Sequence, residues 1–155
     1  DIELNQDRDN YHFMKKYEKK KINNVQIKTF GSTDIGVSFL VKAENINIFH
    51  AGDLNWWHWK DSSEREQEKE EEEFKNEVDK LKSEEIDIAF VPVDPRLEEY
   101  YYLAGEYFIR EIKPDILIPI HFTSQYNITE KFKEKMSPAE VNIPTIKSEE
   151  IIVEI

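Results

Sequence analysis

The apolar positions of this chain change period several times, and each change marks an element. Val25, Ile27 and Thr29 alternate with polar neighbours, the two-residue period of a strand with one buried face. Gly31-Ser32-Thr33-Asp34 then turns the chain into a second run from Ile35 to Lys42, and Ala43-Glu44-Asn45 turns it into a third from Ile46 to Phe49. Three strands with short links predict an antiparallel meander, with Ser32 and Asp53 at the same end of the sheet. Ahead of them, Phe13 and Tyr17 share a face at four-residue spacing, which predicts a short helix; its lysines, Lys15, Lys16, Lys19, Lys20 and Lys21, read first as a solvated helix face, with attraction of an anionic substrate as the alternative.

Beyond residue 60 the period becomes helical. Ser63-Glu64-Arg65-Glu66 reads as a capping box opening a helix, and Phe74, Val78 and Leu81 form the thin stripe that seats its second half. Glu64 to Glu73 carries no apolar residue, so the first half is expected to be exposed and mobile, a solvated face. Ile86 to Val91 is a continuous apolar run, as in strands covered on both faces, and Ile116 to Ile120 is another. Between them Leu97, Tyr101, Ala104, Phe108 and Ile112 recur at helical spacing until Lys113-Pro114, predicting one helix over 97–112 and a right-handed βαβ unit. That unit puts Asp94 and His121 at one sheet edge, joined by Asp53 if Ile46 to Phe49 runs parallel to them. Asn127 is the expected cap of a last helix reaching about Met136, and Ile143 to Ile146 and Ile151 to Ile155 are expected closing strands.

At 155 residues and 39% hydrophobic content, with no Pro/Gly/Ser-rich linker, residues 1–155 read as a single domain. A net charge of −12 repels phosphate backbones and anionic lipid heads, so neither nucleic acid nor membrane is an expected partner. With no cysteine, any metal must be held by His, Asp, Glu or main-chain oxygen. No stretch has the length of a membrane span and Asp1-Ile2-Glu3-Leu4 is no signal peptide, so a cytoplasmic location is expected. The absence of an initiator Met points to a chain that begins inside a longer one.

Candidate chemistry gathers at Ile46 to Trp59. Gly52 sets the Asp53 carboxylate just past a strand end, the position where open α/β sheets carry their sites, and Trp56, Trp57, His58 and Trp59 follow as an aromatic wall. Asp53 reads equally as a turn residue capping main-chain amides or as a ligand. His121, after the strand ending Pro119-Ile120, reads as a core histidine or a ligand. On a strand His50 points opposite to its neighbours, as a structural residue or one behind the ligands. His58 reads first as a packing histidine, with a reach into the pocket as its alternative. Asp94 and Arg96 lie at a strand end, where either Arg96 grips a substrate carboxylate or phosphate bidentately or the two residues pair to pin their loop.

Gly31-Ser32-Thr33-Asp34-Ile35-Gly36-Val37-Ser38-Phe39, Phe49-His50-Ala51-Gly52-Asp53 and Pro119-Ile120-His121-Phe122, each led into by a strand, resemble motifs of the metallo-β-lactamase superfamily, in its lactonase-like branch of metal-dependent hydrolases. The resemblance covers residues 25 to about 123. It implies an αββα sandwich, of which this chain is the C-terminal half: a mixed α/β sheet with flanking helices. It implies a divalent metal, usually zinc and one or two ions in the complete protein, that activates a water. By position, Asp53 resembles the aspartate that bridges two metals and His121 the last histidine ligand. Ser32 stands where most of the family has histidine, and the His-x-His-x-Asp-His signature is absent from the 155 residues.

The resulting expectation is a metal-dependent hydrolase acting on an ester, lactone, amide or phosphoester of a small-molecule substrate. Its alternative is a non-catalytic relative that binds a ligand through a degenerate metal site, and a third reading is an acidic interaction module built on Glu64 to Glu73. If the chain is the C-terminal portion of a longer protein, its sheet exposes an apolar face to be covered by the N-terminal half or by a second copy.

Overall fold

Alternating strands at one side and continuously apolar ones at the other build a six-stranded mixed sheet whose strands lie side by side in chain order. The computed structural model describes residues 12–148 and 152. Strands β1 (Lys19–Ile22), β2 (Val25–Phe30), β3 (Ser38–Ala43) and β4 (Ile46–His50) form an antiparallel meander, and β5 (Ile88–Pro92) and β6 (Ile116–Ile120) add to it in parallel. Helix α1 (Glu64–Asp79) crosses from β4 to β5, α2 (Leu103–Ile112) from β5 to β6, and α3 (Asn127–Lys135) follows β6. The α/β architecture expected from the sequence, a mixed sheet with flanking helices, is the one the chain adopts.

Register decides which side chains meet. Leu40 pairs with Phe49, Phe49 with Ala89 and Ala89 with Leu117, so the four line one face, and all are fully buried. Phe74 and Val78 of α1 and Phe108 of α2 cover them, Phe108 stacking on Phe49 at 5.3 Å. Gly105 admits the ring of Phe132 from α3 so closely that any β-carbon there would collide with it. The opposite face carries Ile27, Val41, Ile48, Phe90 and Ile120, all of them only half-buried. On the same face Ile88, Ile116 and Ile118 are buried, so the side away from the helices is apolar and partly covered.

Several sequence expectations are corrected. Phe13 and Tyr17 do not share a helix: Tyr17 sits in a turn at φ 66°, and the lysines behind it form β1, closed on β2 by the Asn23-Asn24 hairpin with Asn23 at φ 54°. Asparagine tolerates the left-handed backbone that such a tight turn needs, and it outweighs the weak helical spacing. The helix expected over 97–112 is two elements, a 3-10 turn at Pro95–Tyr100 broken at Glu98 (φ 51°) and then α2. Helix α3 begins after Tyr126, which makes no side-chain cap; Asn127 is its first residue, and the Thr129 hydroxyl donates to the Tyr126 carbonyl. Ile143 to Ile146 is no strand, only Asn142 bridging to Ile116, and the expected strand at 151–155 lies, apart from Ile152, outside the described residues. The capping box holds: Ser63 Oγ accepts from the Glu66 amide, and Glu66 reaches back to the Ser63 amide at 2.9 Å. The first half of α1 is largely exposed, as expected.

Candidate functional site

Three loops leave the C-terminal ends of the parallel strands β4, β5 and β6 and deliver Asp53, Asp94 and His121 to one edge. Main-chain bonds carry the pairing past the strands themselves, Ala51 N to Phe90 O at 2.9 Å and Val93 N to Ile120 O at 2.9 Å, so the loop bases are fixed. Gly52 makes the turn at φ +58°, where a β-carbon would sit 3.1 Å from the Val37 carbonyl. The loop before β3 is tied in by Thr33, whose hydroxyl donates to Asn55 O at 2.7 Å and accepts from Asn55 N at 3.0 Å.

Asp94 is the centre of the network. Its fully buried carboxylate accepts from the Arg96 amide at 2.9 Å, from Arg96 Nε at 3.0 Å, from Arg96 Nη2 at 2.5 Å and from His121 Nδ1 at 2.8 Å. Burial opposes its ionisation, but the Arg96 and His121 bonds outweigh it and hold the carboxyl below the ordinary aspartate range. The same bonds raise Arg96 further, chiefly through Asp94. An ionised Asp94 requires a proton on His121 Nδ1, so Nε2 is an acceptor whenever the ring carries no second proton. That atom faces Asp53 Oδ1 at 3.3 Å. Two acceptors at this separation repel unless a second proton or a cation stands between them. The pair therefore suits a divalent cation chemically, with Asp94 orienting the imidazole from behind as carboxylates do for metal-binding histidines. His121 is itself held at φ 68°, a left-handed backbone costing roughly 1–2 kcal/mol for a non-glycine residue, the kind of strain that gathers at working sites.

The aromatic loop divides. Trp57 and Trp59 stack in parallel at 5.6 Å, Arg96 lies over both at 5.8 and 5.7 Å, and the Trp57 ring meets His121 edge-on at 5.6 Å. Trp56 instead turns into the core, against Phe74 at 6.0 Å and Tyr107 at 6.2 Å, and His58 packs on Tyr100 at 4.3 Å. Both belong to the scaffold. The side chains of Asn55, Trp56, Trp57 and His58 bury polar atoms that have no hydrogen-bond partner, so this loop carries more uncompensated polarity than the rest of the described chain.

His50 leaves the site: its ring stacks on Phe90 at 5.4 Å and its Nδ1 accepts from Gly52 N at 3.0 Å, steadying the turn. Burial pushes its pKa down, against the pull of Asp53. Ser32 accepts from Asp34 N at 3.2 Å within its own loop. The structure thus brings together Asp53, Asp94, Arg96, His121 and Trp57, and leaves Ser32, His50, Trp56 and His58 in supporting places. Sequence reading missed the Thr33 tie, because a loop threonine has no signature, and missed that Trp59 backs Arg96. Among the described residues no group of three or more His, Asp or Glu is arranged to hold a metal, so the site as it stands offers two free donors. A cavity of about 170 Å³ opens between Asp94, Arg96, His121 and Thr123. No helix among the described residues is long and apolar enough to cross a membrane.

No family model and no curated protein matches the sequence. Among solved structures the chain is similar to a variant of the CmlA β-hydroxylase, with 7% identity and a TM-score of 0.48 over 77% of this chain and 30% of that one. It is also similar to CmlA itself, a diiron β-hydroxylase from Streptomyces venezuelae, with 7% identity and a TM-score of 0.47 over 86% of this chain and 27% of that one. The chain spans less than a third of the length of either.

Proposed function

We propose that this chain is the C-terminal part of a metal-dependent hydrolase of the metallo-β-lactamase fold, with Asp53 and His121 contributing to a divalent-metal centre. The observation that carries the reading is the facing of His121 Nε2 and Asp53 Oδ1 across 3.3 Å, with Asp94 occupying the other imidazole nitrogen. A bound metal supplies Lewis acidity and a water acidic enough to react near neutral pH. This chain's own residues do the rest: Asp94 orients His121, Arg96 keeps Asp94 ionised, and the Trp57–Trp59 stack backs Arg96 and the edge of His121. The substrate class is an ester, lactone, amide or phosphoester, and zinc is the expected metal.

Two donors fall short of the three protein ligands of a catalytic zinc site, so the reading includes a further segment. The half-buried apolar face that carries Val41 and Ile48 suits an N-terminal half of the same protein, or a second copy, as the layer that completes both core and site. The shortage of ligands also favours one alternative, a non-catalytic relative that keeps the fold and binds a ligand.

Elemental analysis of the purified protein, reading zinc and iron together, tests the proposal. Metal near stoichiometry that is lost in both Asp53→Ala and His121→Ala, with the fold retained by circular dichroism, supports it. Metal content unaffected by either substitution refutes the assignment. A metal-free parent whose thermal stability does not respond to added zinc favours the non-catalytic alternative.

A further inference from the structure

Lys19 and Lys21, expected from the sequence on a helix face, lie instead on strand β1 of the sheet. Strand pairing sets Lys19 opposite Lys28 and Lys21 opposite Gln26, which in turn faces Lys42. All five share one face, beyond the reach of the helices that cover its other end, and they line a groove of about 580 Å³ with Leu40 as its floor. Glu84, at the turn after α1, is its one carboxylate, 2.5 Å from Lys28 Nζ and 3.1 Å from Lys42 Nζ. Both lysines hold its carboxyl below the ordinary range, Lys28 most. Lys19 and Lys21 have no anionic partner among the described residues.

Protection of an exposed sheet edge accounts for lysines on β1. It does not account for Lys28 and Lys42, which stand on interior strands, nor for a like-charged pair directly opposite across a ladder, which destabilises the sheet. Four ammonium groups against one carboxylate also run counter to a chain with 21 basic and 33 acidic residues. A local positive field on an acidic surface concentrates a compact anion and repels a long one, whose ends would lie over negative surface. Lysines without arginine act as point charges that suit phosphate, and the lining contains no aromatic ring on which a base would stack. The volume falls in the range of small-molecule sites.

We propose that the groove between β1, β2 and β3 is a binding site for a compact polyphosphate, held by Lys19, Lys21, Lys28 and Lys42, separate from the Asp53–His121 edge. Calorimetric titration of the chain with sodium tripolyphosphate at low salt tests it. The expected result is saturable one-to-one binding that weakens as salt is added. The Lys19→Gln/Lys21→Gln variant, whose lysines are exposed and make no ion pair among the described residues, so that folding is spared, should bind about tenfold more weakly. Glu84→Gln, which removes the one opposing charge, should bind about threefold more tightly, a gain that a purely structural Glu84 would not give. Lys69→Gln/Lys131→Gln, an equal charge change on the helices, should bind as the parent does. Absence of binding, an unchanged affinity in the β1 variant or an equal loss in the helix variant overturns the proposal. So does an oligothymidylate that binds the same lysines more tightly than tripolyphosphate, which would assign the groove to nucleic acid.

Discussion

Asp94→Asn tests the network at the candidate site with almost no change of shape. The asparagine retains an acceptor for the Arg96 amide but loses the charge that faces Arg96 Nε, Arg96 Nη2 and His121 Nδ1. A hydrogen bond to a charged group contributes about 1.5–3 kcal/mol, and the carboxylate is fully buried while 58% of the Arg96 side chain is exposed, so solvent screening reduces the arginine's share. The net loss is about 2 kcal/mol, which in a domain of this size lowers the melting temperature by roughly 4–8 °C. Because the carboxyl is depressed in the folded state, its contribution is complete above the unfolded aspartate value of about pH 4 and is lost as pH falls through the lower folded value. The parent and the variant should therefore differ most at neutral pH and converge in acid. Thermal melts from neutral pH into the acid range measure this, and metal titration at neutral pH should show binding weakened by about 10–100-fold through the unanchored imidazole. A melting temperature within about 1 °C of the parent at neutral pH, with a parallel acid limb, would refute the reasoning.

Other substitutions probe the frame. Gly52→Ala forces a side chain onto a left-handed backbone beside the Val37 carbonyl and should cost about 1–2 kcal/mol in urea denaturation, with metal retention falling as Asp53 moves. Ser63→Ala removes the cap of α1 and should cost about 1 kcal/mol in the same assay without altering metal content. Val41→Glu combined with Ile48→Glu places charge on the half-buried sheet face; sedimentation should then show less self-association, and an unchanged distribution would mean that this face does not mediate it.

Much of the frame was legible in the sequence, because burial imposes its period on the chain. Alternation at Val25 to Thr29, the continuous apolar runs at 86–91 and 116–120, and the Ser63 to Glu66 box each follow from a local rule that the fold obeys. The failures fall where two local signals compete. Four-residue spacing of Phe13 and Tyr17 gave way to the Asn23-Asn24 turn, and a helical stripe from Leu97 gave way to Pro95 and the left-handed Glu98. At the site, strand ends located Asp53, Asp94 and His121, yet no periodicity encodes direction. That Trp57 turns to His121 while Trp56 turns to Phe74 depends on packing between distant segments. That Asp94 pairs with Arg96 is one of the two readings its sequence offers, whereas its bond to the His121 imidazole needed loops from two strands in place at once.

The half-buried side of the sheet also changes what a measured stability means. A layer laid over Ile27, Val41, Ile48, Phe90 and Ile120 removes their apolar area from water only in the folded chain, so binding and folding share one equilibrium. Where that layer arrives as a separate polypeptide, the melting point becomes a function of concentration, rising with the logarithm of the cover supplied.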